Sequence, residues 1–179
     1  MDILRTFLQE QRICDWHFPI TVGAAGKRYV NITETLKALV GQARIQTGEV
    51  RVQSLHTTCS LLLQEDEAGL LTHDLMRCLD QIIPPSAHDD EKRRLTGEGE
   101  YYRHDDMNVR TENLAEGEER VNGHAHLRAM LVGQPMLTLS IAKWELVLGK
   151  WQQVLFFDFD DQGDPPAKER TIYVRAHSV

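Results

Sequence analysis

The chain is poor in cysteine, since its 179 residues include only Cys14, Cys59 and Cys78. An odd number of thiols without Cys-x-x-Cys spacing argues against a disulfide framework and against a structural zinc site. Free thiols suit a reducing compartment. The N-terminus also lacks the basic region, apolar core and cleavage site of a secretory signal, so we expect a cytoplasmic protein.

Long apolar runs and a surplus of basic residues are absent as well. No stretch approaches the roughly 20 apolar residues that span a bilayer, which disfavours a membrane protein. The chain has 20 Lys and Arg against 27 Asp and Glu, a formal charge of -7. A nucleic-acid-binding protein needs a concentrated basic surface, so this balance argues against such a partner.

Several familiar catalytic motifs are missing. The sequence has no Gly-x-Gly-x-x-Gly, no Gly-x-x-x-x-Gly-Lys-Ser/Thr, no His-Glu-x-x-His and no Gly-x-Ser-x-Gly. Their absence disfavours nucleotide-binding proteins and the common hydrolase classes. The chain does have an ordinary globular composition, with 41% hydrophobic and 26% charged residues, and its length suits one domain.

Seven segments are predicted to be strands, because they are rich in β-branched or aromatic residues or alternate apolar with polar positions. They are Trp16 to Val22, Arg28 to Ile32, Glu49 to Leu55, Cys59 to Leu63, Met136 to Ala142, Gln152 to Phe159 and Thr171 to Val174. The fourth segment is apolar on both faces, which is typical of a strand in the centre of a sheet.

Helical spacing of apolar residues predicts two main helices. The first is capped by Asn31 and ended by Gly48, and the second runs from Glu67 to Ile83. A shorter helix is predicted from Asn122 to Val132. Its inward-facing residues are predicted to be Leu127, Met130 and Leu131.

Residues 86–121 have few apolar residues and no regular period, which favours a functional loop or lid over a linker between domains. Strands and helices do not alternate strictly along the chain. We therefore predict an α+β fold, a β-rich mixed-sheet sandwich with two main helices in a single domain, rather than a doubly wound parallel sheet.

Two polar clusters flank the predicted fourth strand. In His56-Thr57-Thr58, His56 could ligate a metal or transfer protons and Thr57 could donate to an anion, or the threonines could simply pair across a sheet. In Gln64-Glu65-Asp66-Glu67, Glu65 or Asp66 could be a metal ligand or base. Their carboxylates could equally serve the positive end of the following helix dipole.

The sharpest local pattern is Asn122-Gly123-His124-Ala125-His126. On a strand the two histidines would share a face and form a chelate. On a helix they diverge by about 200°, so only one faces a given site, and we favour His126. Asn122 could contact the site or cap the helix.

Two further clusters add candidates. His104 is followed by Asp105, which could orient its imidazole as the carboxylate partners of metal-bound histidines do. Within a polar loop, an exposed histidine is the alternative. In Gly149-Lys150-Trp151-Gln152, Gln152 could donate a hydrogen bond into a cleft, or the segment could be a hairpin turn with a packed tryptophan.

These motifs in this order resemble the YjbQ family, whose members often carry the label secondary thiamine-phosphate synthase. The resemblance covers most of the chain from Tyr29 to Arg170. It runs through His56-Thr57-Thr58-Cys59-Ser60, Gln64-Glu65-Asp66, His73-Asp74, Tyr102-Arg103-His104-Asp105, Asn122-Gly123-His124-Ala125-His126-Leu127-Arg128 and Gly149-Lys150-Trp151-Gln152.

The resemblance implies a single domain over residues 16–179, and the N-terminal extension over residues 1–15 is a departure from the family pattern. The resemblance also implies a homotrimer with sites near subunit boundaries, and a histidine-lined pocket for a divalent ion or an anion. The chain departs from the family pattern at Lys150, where threonine is usual. Its loops before Tyr101 and after Asp105 are also longer, which affects the walls of the pocket.

From this resemblance we expect a transferase of thiamine-phosphate-synthase type that joins a pyrimidine pyrophosphate to a thiazole phosphate, with zinc, magnesium or manganese as a cofactor. The catalytic candidates are His56, His104, His126, Glu65 and Asp66, and the three histidines are also the candidate metal ligands. The candidates for binding the phosphorylated substrate are Thr57, Asn122 and Gln152. A non-catalytic module that binds a metal or small anion is one alternative, and a metal-assisted hydrolase is another.

Overall fold

The structure is a computed structural model that describes residues 12–23, 27–86, 102–114, 121–160 and 168–179. The strands in these residues are β1 (Ile13–Val22), β2 (Tyr29–Asn31), β3 (Thr47–Ser54), β4 (Cys59–Gln64), β5 (Met136–Ala142), β6 (Glu145–Leu146), β7 (Gln153–Asp158) and β8 (Lys168–Ser178). The helices are α1 (Thr33–Ala43), α2 (Leu75–Ile82) and α3 (Gly123–Val132). A π-helical segment, Gly69–Asp74, leads into α2, and a single 3-10 turn spans Arg103–Asp105.

The described strands lie in two antiparallel sheets. The larger sheet has the order β1-β8-β3-β5-β6, and the smaller has the order β2-β7-β4. β1 pairs with β8 along its whole length, from Ile13 opposite His177 to Val22 opposite Lys168. The predicted α+β sandwich is confirmed, and the three α-helices of the described residues correspond to the two main helices and the shorter helix that the sequence predicts. The sheets are not mixed, because the described strands pair antiparallel throughout.

Two apolar cores hold the layers together. The larger core lies between the two sheets and α1, and it includes Leu36, Phe156 and Val174. The smaller core lies on the other face of β7, under α2 and α3, and it includes Leu79 and Phe157. Because side chains alternate along a strand, β7 supplies Phe156 to one core and Phe157 to the other. Each such buried phenylalanine contributes about 1.5–3 kcal/mol of hydrophobic stabilisation.

β4 is an edge strand of its sheet, and the prediction that it lies in the centre is wrong. The central position belongs to β7, which pairs with both β2 and β4. The free side of β4 is covered in part by a bridge to Gln134, whose carbonyl accepts a 2.8 Å hydrogen bond from the Leu61 N–H. β4 is apolar on both faces because Leu61 enters the larger core and Leu62 packs against the smaller one.

α1 is shorter than the sequence predicts. Ile32 rather than the predicted Asn31 holds the N-cap position, although Asn31 Oδ1 accepts a 3.0 Å hydrogen bond from the Thr33 N–H. The helix ends at Ala43, because Arg44 adopts a left-handed conformation with φ 51°. Gly48 lies in β3 instead, where a Cβ atom would collide with the backbone oxygen of His177 on β8.

α3 buries a different face from the predicted one. The prediction that Leu127, Met130 and Leu131 face inward is wrong, since these side chains are 41%, 73% and 58% exposed. The buried face carries small or polar residues, namely Gly123, His124, Ala125, Arg128 and Ala129. Both faces have helical spacing, so the period alone could not decide between them.

Arg128 shows why a polar face of α3 can be buried. Its side chain is 1% exposed, and its Nη2 lies 2.7 Å from Asp80 Oδ1. Its Nε and Nη2 also donate to the carbonyl of Ile83, over 2.9 and 2.6 Å. A buried guanidinium is tolerated when its charge and donors are satisfied in this way. The contact fixes α3 to the end of α2.

Part of the predicted organisation falls outside the described residues. This applies to residues 1–11 of the predicted N-terminal extension and to residues 87–101 and 115–120 of the predicted loop. Among the helices that are described, none combines the length and apolar character needed to cross a bilayer.

Candidate functional site

His104 and His126 come into contact at one end of the smaller core. His104 lies in the 3-10 turn, His126 lies in the first turn of α3, and both side chains are partly buried. Their ring centroids are 4.5 Å apart, with 59° between the ring planes. Arg110 joins them, since its Nη1 lies 3.4 Å from His104 Nε2 and donates to the His104 carbonyl over 3.3 Å. We call His104, His126 and Arg110 the histidine centre.

Asp105 positions the two histidines relative to each other. Its Oδ1 accepts hydrogen bonds from the backbone N–H groups of Asn122, at 3.0 Å, and Gly123, at 2.8 Å. The carboxylate therefore caps α3, whereas Asn122 contributes no capping hydrogen bond from its side chain. Gly123 is needed at this position, because a Cβ atom would stand 2.7 Å from the Cβ of Tyr102.

Burial lowers the pKa of His126, and the neighbouring His104 lowers it further. The carboxylates of Asp160 and Asp105 oppose this change without cancelling it. The imidazole of His126 is therefore neutral at physiological pH. A neutral imidazole can accept a proton, donate a hydrogen bond or ligate a metal ion.

Asp160, whose charge acts on the pKa of His126, belongs to a buried cluster of charges. Lys168 Nζ lies 3.0 Å from Asp160 Oδ1, and Arg170 Nη2 lies 3.4 Å from Asp160 Oδ2. Arg170 Nε also donates to Asp158 Oδ2 over 2.7 Å. The side chains of both aspartates are only 3% exposed. The ion pairs therefore hold the end of β7 against the start of β8.

The sequence prediction did not include these four residues or Arg110. A signal for the cluster is present, because Asp158 and Asp160 stand two apart at the end of an apolar strand. Lys168 and Arg170 have the same spacing at the start of the next strand. Alternation places each pair on one face of its strand, and opposite charges attract where the fold brings the two strand ends together.

His56 lies on the other side of this cluster. Its Nε2 accepts a 2.9 Å hydrogen bond from the Thr171 N–H, so Nδ1 carries the proton of the neutral ring. Burial lowers the pKa of His56, and Arg170 lowers it further. His56 and the exposed Thr57 line a cleft of about 580 Å³ that also borders Cys59 and Met130. Burial raises the pKa of the Cys59 thiol to about 12, which makes it a poor nucleophile.

His124 points away from His126, as the divergence of two residues on a helix requires. Its side chain is fully buried, and its Nδ1 accepts a 3.2 Å hydrogen bond from the Ser86 N–H. The Ser86 hydroxyl lies 2.9 Å from the same nitrogen. His124 thus fastens α3 to the segment that follows α2, and His126 is the histidine of the pair that contacts His104.

The acidic candidates form a separate group beside β2. Asp66 accepts hydrogen bonds from the Tyr29 hydroxyl and from Asn31 Nδ2, each over 2.9 Å. Burial and this carboxylate raise the pKa of Tyr29 to about 12. Glu65 is exposed, and Glu67 accepts hydrogen bonds from the N–H groups at the start of the π-helical segment. Glu67 therefore caps the start of this segment. This agrees with the interpretation that a carboxylate of the cluster interacts with the positive end of the helix dipole.

Gln152 closes the turn between β6 and β7. Its Oε1 accepts a 2.7 Å hydrogen bond from the Gly149 N–H, and its own N–H donates to the Gly149 carbonyl over 3.0 Å. The segment is therefore a turn, but the predicted hairpin with a packed tryptophan is wrong, because β6 and β7 lie in different sheets and Trp151 is 63% exposed. The structure thus brings His104 and His126 together, and it places His56, Asp66 and Gln152 in different local networks.

The described residues of the chain do not complete a metal site. Among them, no three His, Cys, Asp or Glu side chains converge as a group able to hold a metal ion. The histidine centre offers two imidazoles, and the nearby Asp105 Oδ2 is buried without a hydrogen-bond partner in the described structure. Protein zinc sites take three or four ligands. A zinc, magnesium or manganese ion held by His56, His104 and His126 therefore stays a prediction.

Sequence comparison supports a relationship to a family over nearly the whole chain. Residues 19–178 match the family described as UPF0047 protein YjbQ-like. A UPF0047 protein of Archaeoglobus fulgidus is 28% identical over 131 residues, which cover 73% of this chain and 80% of the relative. A UPF0047 protein of Synechocystis is 26% identical over 169 residues, which cover 94% of this chain and 93% of the relative.

Solved structures share the fold. A YbjQ-like protein of unknown function from Sulfolobus solfataricus superposes with a TM-score of 0.66 at 20% identity, covering 95% of this chain and 100% of that one. A hypothetical protein from Aeropyrum pernix superposes with a TM-score of 0.61 at 20% identity, covering 90% and 96%. At these identities the likeness establishes the fold and does not assign an activity.

Proposed function

Because this chain belongs to the YjbQ-like UPF0047 family, we propose that it is an enzyme whose histidine centre acts on a small phosphorylated substrate. The observation that carries this proposal is the contact between His104 and His126, whose ring centroids are 4.5 Å apart. The two rings come from separate elements, and Asp105 fixes the geometry between those elements. Such an arrangement of partly buried imidazoles beside a guanidinium offers several N–H donors to one bound anion.

We infer that the reaction is a transfer of thiamine-phosphate-synthase type. The nitrogen of a thiazole phosphate attacks the methylene carbon of a pyrimidine pyrophosphate and forms the new carbon–nitrogen bond. The carbon–oxygen bond breaks, and pyrophosphate departs with the electron pair. This step needs no nucleophile from the protein, and the high pKa of the buried Cys59 thiol agrees with that requirement.

The departing pyrophosphate requires fixed positive charge and hydrogen-bond donors. Arg110 would supply the charge, because a guanidinium stays protonated in proteins. His104 would donate a hydrogen bond next to it, from the ring that Arg110 contacts. His126, whose lowered pKa keeps its ring neutral, would donate a further hydrogen bond to the pyrophosphate from its ring N–H.

A homotrimer is the second part of the proposal. The exposed side chains of Leu127, Met130 and Leu131 form an apolar row on α3, next to the helical turn that carries His126. Covering side chains of this size stabilises an assembly by about 1.5–3 kcal/mol each. Light scattering should give a trimer mass for the protein and a smaller mass for the double variant Met130→Glu, Leu131→Glu. The same mass in both proteins would contradict this use of α3.

Turnover tests the catalytic part of the proposal. Purified protein is mixed with the pyrimidine pyrophosphate and the thiazole phosphate, with and without magnesium, manganese or zinc, and pyrophosphate release is followed. We expect His126→Ala and Arg110→Ala to lower the rate at least tenfold. His73→Ala is the matched control, because His73 is an exposed histidine paired only with its neighbour Asp74 in the described structure. No turnover above background with any ion would contradict the transferase.

A non-catalytic binding module is the alternative that the same centre could support. Titration of the protein with zinc and with inorganic pyrophosphate separates the two functions. Stoichiometric binding that is lost in His104→Ala and His126→Ala, without any turnover, would favour the binding module. Turnover that is lost in the same variants favours the enzyme.

A further inference from the structure

A second cavity lies at the hairpin turn between β5 and β6, where α1 and the turn before β7 meet it. It encloses about 460 Å³, within the range of roughly 300–1,000 Å³ that small-molecule sites occupy. The residues of its lining that bear on a ligand are Lys37, Trp144, Glu145 and Lys150. None of the residues described for the histidine centre belongs to this lining, so the cavity needs its own explanation.

Trp144 occupies an unfavourable backbone conformation. It forms the tip of the hairpin with Lys143, between the paired residues Ala142 and Glu145, and the two tip residues have φ 65° and 53°. Turns of this kind are normally occupied by Gly, Asn or Asp, and a bulky residue with positive φ is an outlier. The side chain of Trp144 is nevertheless 53% exposed, so core burial does not compensate for the strain. Strained residues of this kind cluster at ligand sites.

The wall that carries Trp144 is rigid. The Trp144 N–H donates a 3.2 Å hydrogen bond to the Gln46 carbonyl, which fixes the hairpin tip to the segment after α1. Leu146 anchors the same hairpin in the larger core with an exposure of 8%. On the opposite side, the hydrogen bond between Gly149 and Gln152 closes the next turn. A pocket formed before the ligand arrives binds it with a smaller loss of conformational entropy.

Two ammonium groups border the cavity. Lys37 reaches it from α1. Both side chains of its ion pair with Glu34 are exposed to solvent, so Glu34 competes only weakly with an anionic ligand for Lys37. Lys150 reaches it from the turn before β7, where its Nζ lies 4.6 Å from the centroid of the Trp151 ring. Glu145 adds one carboxylate, which can accept a hydrogen bond from a hydroxyl or amino group.

We propose that this cavity is a binding site for a flat aromatic molecule that carries a phosphate group. The ring stacks on the indole of Trp144, and the phosphate lies between Lys37 and Lys150. Stacking of the ligand on the exposed indole explains why a tryptophan stands at the strained tip of the hairpin. The two lysines explain why the ligand is an anion. The site is independent of the reaction proposed for the histidine centre.

Calorimetry with 1-naphthyl phosphate tests the site on the full chain, with 1-naphthol and inorganic phosphate as the separate halves of the probe. We expect one naphthyl phosphate per chain and an affinity at least tenfold higher than for either half. Equal affinity for inorganic phosphate would overturn the proposal, since it would show that the ring contributes nothing. Absence of binding would overturn it as well.

Variants distinguish a ligand role of Trp144 from a structural one. Trp144→Gly should weaken naphthyl phosphate binding at least tenfold while leaving the Tm unchanged or raising it by about 2 °C, because glycine adopts positive φ without strain. Trp151→Phe is the matched control, since it keeps an aromatic ring beside Lys150, and it should bind the probe like the unmodified protein. Full affinity in Trp144→Gly overturns the proposal. Loss of binding in His104→Ala with full binding in Trp144→Gly would assign the probe to the histidine centre instead.

Discussion

Gly123 donates its backbone N–H to Asp105 Oδ1 over 2.8 Å, so the carboxylate that follows His104 caps the helix that carries His126. One side chain thereby determines the distance between the two imidazoles. A carboxylate at this position also interacts favourably with the positive end of the helix dipole. The stability of α3 and the geometry of the histidine centre consequently depend on the same residue.

Asp105→Ala should destabilise the protein by about 1 kcal/mol, because the first N–H groups of α3 lose their acceptor. For a chain of this size that loss lowers the Tm by roughly 2–4 °C, which thermal unfolding followed by circular dichroism can resolve. Asp105→Asn keeps an acceptor oxygen and should lose less. An unchanged Tm in Asp105→Ala would contradict the capping role.

His126 should titrate below the usual histidine pKa of 6.5, because burial and His104 disfavour its charged form. As pH falls, the unfolded chain binds this proton first, so unfolding becomes easier. The contribution of neutral His126 to stability is therefore complete above about pH 6.5 and declines as pH falls through the lower folded pKa.

NMR titration of the imidazole C–H signals measures the His126 pKa directly. In His104→Ala it should rise towards 6.5, since one cause of the shift has been removed, and burial and Arg110 should keep it from reaching that value. His73→Ala, at an exposed position, serves as the control and should leave the His126 signal where it was. A His126 pKa at or above 6.5 in the unmodified protein would contradict the structure.

Gly48→Ala should destabilise the fold by about 2 kcal/mol or more, because the added Cβ collides with the backbone of His177 rather than with a movable side chain. Gly41→Ala is the matched control. A Cβ at Gly41 meets nothing within 4 Å, and alanine favours a helix, so this variant should be as stable as the original or more so. Urea unfolding of the two variants provides the comparison.

Asp158→Asn should lower the free energy of unfolding by about 3 kcal/mol, because it removes the negative charge that lies 2.7 Å from the largely buried guanidinium of Arg170. The neighbouring Asp160 lies 3.4 Å from Arg170 and already interacts with Lys168, so it compensates only in part. The control is Asp15→Asn, which breaks the exposed pair with Arg175 and should change the stability little. Equal effects of the two variants would contradict the buried ion cluster.

The three cysteines should differ in reactivity towards a thiol reagent at pH 8. Cys78 is exposed and should react fast, whereas Cys59 is buried and has a pKa of about 12. Labelling with iodoacetamide followed by mass spectrometry should modify Cys59 only after unfolding. Fast modification of Cys59 in the folded protein would contradict its inert placement and would reopen a nucleophilic role.

The sequence was sufficient for the kind and order of the main elements, because periods of two and of 3.6 residues depend on local residue types. It was insufficient for α3, where two stripes have the same helical spacing. The apolar stripe with Leu127 and Met130 is exposed, and the stripe with His124 and Arg128 is buried. That choice depends on Ser86 and Asp80, partners about 40 to 50 residues away in the chain.

The candidate site was also predicted only in part, because local periodicity does not show which distant residues meet. The divergence of His124 and His126 follows from helix geometry, so the preference for the second residue agrees with its contact to His104. The separation of His56 from that pair could not be read from the sequence, because it results from the pairing of β7 with β4 and from the ion pairs of Arg170. Short motifs identify reactive side chains, and long-range contacts determine which of them meet.

The pairing of β1 with β8 affects how the protein folds during its synthesis. β8 lies between β1 and β3 and follows both along the chain, so β1 has no partner in the described sheet until β8 has left the ribosome, whereas β3 can already pair with β5. Until then β1, ten residues long, presents an unpaired edge that other nascent chains could join. Deleting β8 should therefore yield an aggregating polypeptide rather than a smaller folded protein.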